Sequence, residues 1–188
     1  NRKIQFAVND GEFASTTGSG TFGYVKVVEV NDRPEVTQVD SVEANAVSFT
    51  ENGAAILLTN TLEVSDDFVG SNPINSATVT ISENFEATDV LALTGGPYGN
   101  IVQASYSNGV LTLTGADTTV RYRDALRAVK FSSTNQYPST LNRKIQFAVN
   151  DGEFASTTGS GTFGYVKVVE VNDRPEVTQV DSVEANAV

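Results

Sequence analysis

The sequence predicts an all-β fold, a Greek-key β-sandwich of about seven strands with one short helical corner. Three observations lead there. Apolar residues alternate with period two in short runs, those runs are punctuated by Gly, Asn and Ser, and only one segment carries helical spacing.

In chain order, AILLTNTLEV (55–64) and SATVTIS (76–82) read as the first strands, followed by NIVQASY (100–106) and GVLTLTG (109–115). The last two are joined by a tight hairpin at Ser107 and Asn108 before Gly109. TTVRYRDALRAV (118–129) is the helix candidate, with Thr118 or Thr119 as N-cap and Val120, Arg123, Asp124, Leu126 and Arg127 filling roughly two turns. RAVKFSS (127–133) follows as a strand. In RKIQFAV (143–149), Ile145, Phe147 and Val149 alternate with Lys144, Gln146 and Ala148. TFGYVKVVEV (162–171) sets Phe163, Tyr165, Lys167 and Val169 against Gly164, Val166, Val168 and Glu170, and NDGEFASTTGSG before it is loop.

Residues 1–47 and 142–188 are identical, a register offset of 141. A unit of that length suits one hydrophobic core. The expected organisation is therefore 1–33 as the end of a preceding repeat, 34–174 as a complete repeat, and 175–188 as the start of the next. Residue 1 falls inside a repeat, so the sequence reads as a piece of a longer array with no signal peptide in view. Cores tolerate many volume-conserving changes, so the identity points to recent duplication or exchange among repeats. Neither end segment can bury a core alone. If ordered, each is expected to be held by another copy of the chain, through strand exchange or edge pairing.

Composition removes whole classes of chemistry. Cys, His, Met and Trp are absent, which leaves no thiolate or imidazole as nucleophile, general base or soft-metal ligand, and no disulfide. Any metal must be a hard cation held by oxygen. With 23 acidic and 12 basic residues the net charge is −11, which opposes binding to nucleic acid or to an anionic membrane. No run approaches the ~20 apolar residues of a membrane-spanning helix, so no membrane insertion is expected. A carboxylate pair acting as a glycosidase is the enzyme type left open, and no cleft marks one; the chain is not expected to be an enzyme.

The string FAVNDGEFASTTGSGTFGYVKVVEVNDRPEV resembles the last two strands and linker of a cadherin-type domain. There, an aspartate after a strand (Asp151) precedes a loop and a long strand, and an Asn-Asp-x-Pro linker (Asn172, Asp173, Pro175) opens the next domain. SFTENGAAILL resembles the early segment that carries a glutamate (Glu51), and EVSDDFVGSNPINSATVTI the acidic loop after the second strand (Asp66, Asp67). SNGVLTLTGADTTVRYRDALRAVKFSS is similar to the variant found in tandem arrays of bacterial surface adhesins. The resemblance implies Asp66, Asp67 and Asp151 at the pole facing the preceding linker, Asn31 and Asp32, and Glu51 with Asn172 and Asp173 at the opposite pole. The acidic loop reads Asp-Asp rather than Asp-x-Asp, and the nearest echo of the Asp-Arg-Glu triplet is Arg123-Asp124, so fewer calcium ions per junction are implied.

Calcium takes about six to eight oxygens, and a short linker brings two sandwich poles within reach of one ion. Without a cation, clustered carboxylates repel and the junction splays. The expectation is a calcium-rigidified extender repeat of a large bacterial cell-surface or secreted adhesin, with Ca2+ as cofactor and neighbouring repeats as partners. The rival readings are a glycan- or protein-binding module on the same sandwich, and homophilic adhesion. Tyr98, Tyr106, Tyr122 and Tyr137 would supply a sugar platform, but tyrosines are more often core or corner residues. The basic cluster at 121–130 suits an anion site less well than a corner helix whose arginines cover the sandwich edge and pair with acids.

Overall fold

The structure is a computed structural model that describes residues 1–16, 20–28, 30–66, 73–172 and 175. Two units separate: the first runs to Asp32, and the second is built from Arg33–Asp66 and from Pro73 onward.

In the second unit the expected alternation becomes layers. β7 (Ile74–Glu83) lies between β12 (Arg143–Asn150) and β10 (Val110–Asp117). With β4 (Val47–Thr50), β13 (Phe163–Val169) and β9 (Val102–Ser107) they make a six-stranded sheet in the order β4-β13-β12-β7-β10-β9. The opposing layer holds β5 (Ile56–Leu57), β11 (Val129–Ser133) and β8 (Asp89–Leu93) in the order β5-β11-β8, and the pair β3 (Glu35–Thr37) with β6 (Glu63–Ser65). Phe49 of β4 and Phe131 of β11 meet edge to face, centroids 5.3 Å apart, joining the layers through the core. After β3 a 3-10 turn at Glu43–Asn45 carries the chain across to β4, which pairs in parallel with β13. The first strand thus serves both layers, and the all-β sandwich with a short helix is the observed fold.

The strand periodicity is obeyed residue by residue. Ile145, Phe147 and Val149 of β12 are buried, as are Val166 and Val168 of β13, while Lys144, Gln146, Phe163 and Tyr165 face outward. Each fully buried aliphatic or aromatic side chain contributes roughly 1.5–3 kcal/mol before entropy is counted.

Three differences from the sequence reading have local causes. AILLTNTLEV is broken into β5 and β6, because Leu58 and Leu62 are both buried and Thr61 is held aside. Its hydroxyl donates to Gln38 O at 2.5 Å while its N–H donates to Thr59 Oγ1 at 3.3 Å. The β9–β10 turn is Asn108-Gly109, one residue later than expected, with φ 49° and 78°, the left-handed pair that a two-residue hairpin of matching twist needs. Strands β3, β4 and β8 were not read at all; each is three to five residues, too short for alternation to stand out.

The helix α1 (Thr119–Arg127) is capped by Thr118, whose hydroxyl accepts from Arg121 N at 3.3 Å. It buries Tyr122, Ala125 and Leu126. Tyr122 donates its hydroxyl to Gly115 O at 2.9 Å, and burial, with the Asp117 charge adding, pushes that hydroxyl up to about 12. The arginines line the outside. Arg127 bonds Leu62 O at 2.8 Å and Glu63 at 2.6 Å, and Arg123 pairs with Asp124 at 2.8 Å. The corner arginines thus cover the edge and meet acids.

The first unit is a hairpin of β1 (Arg2–Gln5) and β2 (Phe22–Val25). Arg2 faces Val25 as Arg143 faces Val166, and the rest of the register is likewise shifted by 141. Local bonds repeat as well: Gly11 N donates to Asn9 Oδ1 at 2.6 Å and Gly152 N to Asn150 Oδ1 at 2.7 Å. Burial does not repeat. Phe6 is 65% exposed where Phe147 is 0%, and Val8 is 76% exposed where Val149 is 1%.

Candidate functional site

Among the residues expected to hold a cation, Asn31, Asp32, Glu51, Asp66, Asp151 and Asn172 are described; Asp67 and Asp173 lie outside the described residues. Asn31 and Asp32 close the first unit. The others belong to the second unit and fall at its two ends.

Glu51 follows the last residue of β4. Because β4 and β13 are parallel, both strands finish at the same pole, and Glu51 N donates to Val169 O at 2.9 Å. A turn then redirects the chain, with Gly53 N donating to Thr50 O at 2.8 Å and Asn52 at φ 59°. That leaves the Glu51 side chain tucked under the end of β13, 3% exposed. Its Oε2 accepts from Val171 N at 3.0 Å, next to Asn172, whereas its Oε1 is buried with no hydrogen-bond partner among the described residues. A desolvated carboxylate oxygen left without a donor is costly, and such a group calls for an explanation.

Asp151 sits at the opposite pole, since β12 runs antiparallel to β13. It is 3% exposed, and its Oδ1 accepts from Glu153 N at 2.8 Å and Phe154 N at 2.6 Å. The turn favours Gly152, whose φ of 102° lies in the left-handed region that L side chains rarely adopt. Its counterpart Asp10 accepts the same two backbone bonds, from Phe13 and Glu12, and they hold its carboxyl below the ordinary carboxylate range. Asp66 follows Ser65, the partner of Glu35, so the antiparallel register carries it toward Pro34. Arg33 in turn donates to Ala155 O at 3.1 Å, and its guanidinium lies 5.3 Å from the Phe154 ring centroid. These links put Asp66 and Asp151 on one pole and Glu51 with Asn172 on the other.

All the donors are oxygens, the set a hard cation takes. Glu51 Oε1 fits as one carboxylate ligand and the Asn172 side chain follows directly after the segment Glu51 holds. No group of three or more acidic side chains placed for a metal occurs among the described residues.

Sequence reasoning missed one buried charged cluster. Arg143 is fully buried; its Nε donates to Asp89 Oδ2 at 3.1 Å, its Nη2 pairs with Glu86 at 2.8 Å, and its Nη1 donates to Ser139 O and Leu141 O at 2.6 and 2.8 Å. Burial pushes Glu86 up, but bonds from the Asn135 side chain and Ser139 N, with the Arg143 charge, outweigh it and hold its carboxyl below the ordinary value. The signal was present: Arg143 has the same parity as Ile145, Phe147 and Val149, the inward face of its strand. Of the tyrosines, Tyr98, Tyr106 and Tyr122 spend their hydroxyls on Thr94 O, Asp89 O and Gly115 O, and Tyr137 stands 81% exposed, so the four do not form one platform.

Compared with family models, with curated proteins and with solved structures, the chain matches none.

Proposed function

We propose that the second unit is an extender repeat of a large bacterial cell-surface or secreted adhesin, stiffened by calcium at its poles. The observation that supports it best is Glu51: a buried carboxylate that grips Val171 N at the exit of the last strand and keeps one oxygen unpartnered. Glu51 would supply a carboxylate oxygen and Asn172 an amide oxygen there, fixing the direction in which the chain leaves the sandwich. Asp66 and Asp151 would do the same at the entry pole. A ten-residue strand such as β7 spans ~33 Å, so each folded unit adds a strut of about that length. The role is mechanical, with neighbouring repeats as partners.

Thermal unfolding across a calcium titration tests this reading. A ligand that binds only the native state at ~100 times its Kd adds about 2.7 kcal/mol. The midpoint should therefore rise by roughly 5–10 °C for a domain of this size. Glu51→Gln keeps the shape and should lose most of that rise, with Asp66→Asn reporting on the other pole. No shift at millimolar calcium, or a shift that Glu51→Gln leaves intact, rejects the mechanism.

A further inference from the structure

We infer that the parallel pair β4–β13 is a mechanical clamp: tension that enters at Glu35 and leaves at Val171 shears its bonds together instead of peeling them one by one. The load presupposes the strut role proposed above; the clamp itself involves no cation.

The path of the chain sets the geometry. β3 begins at the entry pole beside Arg33, whose side chain reaches Ala155 O, and Val39 N then donates to Gly161 O at 2.9 Å, just before β13. β4 runs the same way as β13, from Val47 opposite Val166 to Thr50 opposite Val169. The opening segment of the unit therefore lies along its last strand, with the chain entering at one pole and leaving at the other. Tension draws β4 toward the entry pole and β13 toward the exit pole, along their common axis. All the bonds between them bear the load at once, whereas in a peeling geometry each bears it in turn.

Three further features close the clamp. β4 ends its sheet, so among the described residues β13 is its one neighbour there, and this pair must fail before β4 can leave. Phe49 anchors β4 in the core against Phe131. Beyond the strand end, Glu51 N donates to Val169 O at 2.9 Å and the Glu51 carboxylate accepts from Val171 N at 3.0 Å, which carries the sheared zone to the exit. By comparison β3, three residues paired to β6, is a shorter hold.

Parity tells which N–H groups belong to the clamp. Because Glu51 N points at β13, the period of two puts Val47 N on the same side and Ser48 N on the open edge. Proline is tolerated where the N–H faces solvent and removes a bond where it does not.

Single-molecule unfolding of the whole chain in chelator tests the clamp, since forced unfolding reports the barrier rather than the equilibrium. The chain has no cysteine, so introduced thiols define the pulling points. Glu35→Cys with Val171→Cys loads the natural axis. Ala54→Cys with Val171→Cys pulls the neighbouring ends of β4 and β13 apart at one pole; all three sites are exposed. At equal pulling rate the first pair should need a several-fold greater force than the second. Val47→Pro should bring the first force down toward the second and leave the second nearly unchanged, whereas Ser48→Pro should leave both. Should Val47→Pro not fold, the two axes without it decide alone. Equal forces along the two axes, no effect of Val47→Pro, or a loss that Ser48→Pro shares overturns the clamp, even where calcium raises the melting midpoint. Direction-dependent force without any calcium shift upholds the clamp and removes only the cation from the proposed role.

Discussion

Phe147→Ala should lower the stability of the second unit by about 3–5 kcal/mol, while Phe6→Ala should leave it within about 0.5 kcal/mol. The two phenylalanines occupy the same place in identical sequence and identical hairpin register, so the comparison isolates tertiary packing. Phe147 is fully enclosed on β12, and truncating it removes transfer free energy and opens a cavity that β7 and β13 cannot close. Phe6 stands mostly in water and loses little. Denaturant unfolding followed by circular dichroism gives both values. Equal losses would mean that the first hairpin belongs to the same packed core, and the division into two units would fail.

Arg143→Met carries the second large effect, a loss of about 3–5 kcal/mol, because it strands the Asp89 carboxylate inside the sandwich. Buried ion pairs are costly to break and cheap to replace whole. Arg143→Met/Asp89→Leu should therefore recover much of the loss, and Arg2→Met, exposed in the first hairpin, should change nothing measurable. The pH dependence has a fixed sign. The Glu86 carboxyl is held below the ordinary glutamate range, so its contribution is present above that range and is lost as pH falls through the lower folded value. Wild type should accordingly weaken more than Arg143→Met between pH 5 and acid, in the range ~5 to 3. Parallel acid titrations of the two proteins would refute the network if their slopes matched.

The legible part of the fold is the part whose cause is local. Alternation marked β7, β10, β12 and β13 correctly, Thr118 announced the helix start, and the Asn-Asp-Gly turn after β12 folds as its side chains dictate, in both copies. For the candidate site the same division holds. Asp151 builds its own loop from neighbours two and three residues away, and its position at a strand end could be read directly. Glu51 was named from a resemblance, but its bond to Val171 spans 120 residues and depends on the parallel pairing of β4 with β13. Arg143 is one of eight bases in residues 34–174 and shares the inward parity of its strand, but its partners Asp89 and Glu86 come from β8 and the loop before it, more than fifty residues away.

The repeated hairpin separates the two kinds of information within one chain. Sequence alone determined its register, its turn bonds and which face is apolar, because those follow from side-chain parity and from Asn and Asp bonding their own backbone. Tertiary structure decided how far the strands run and whether the apolar face is dry: β1 has four residues and β12, with the same letters, has eight. The physical reason is that a strand's outer bonds and its buried face both need a neighbour: among the described residues β12 and β13 lie between β7 and β4, whereas β1 pairs with β2.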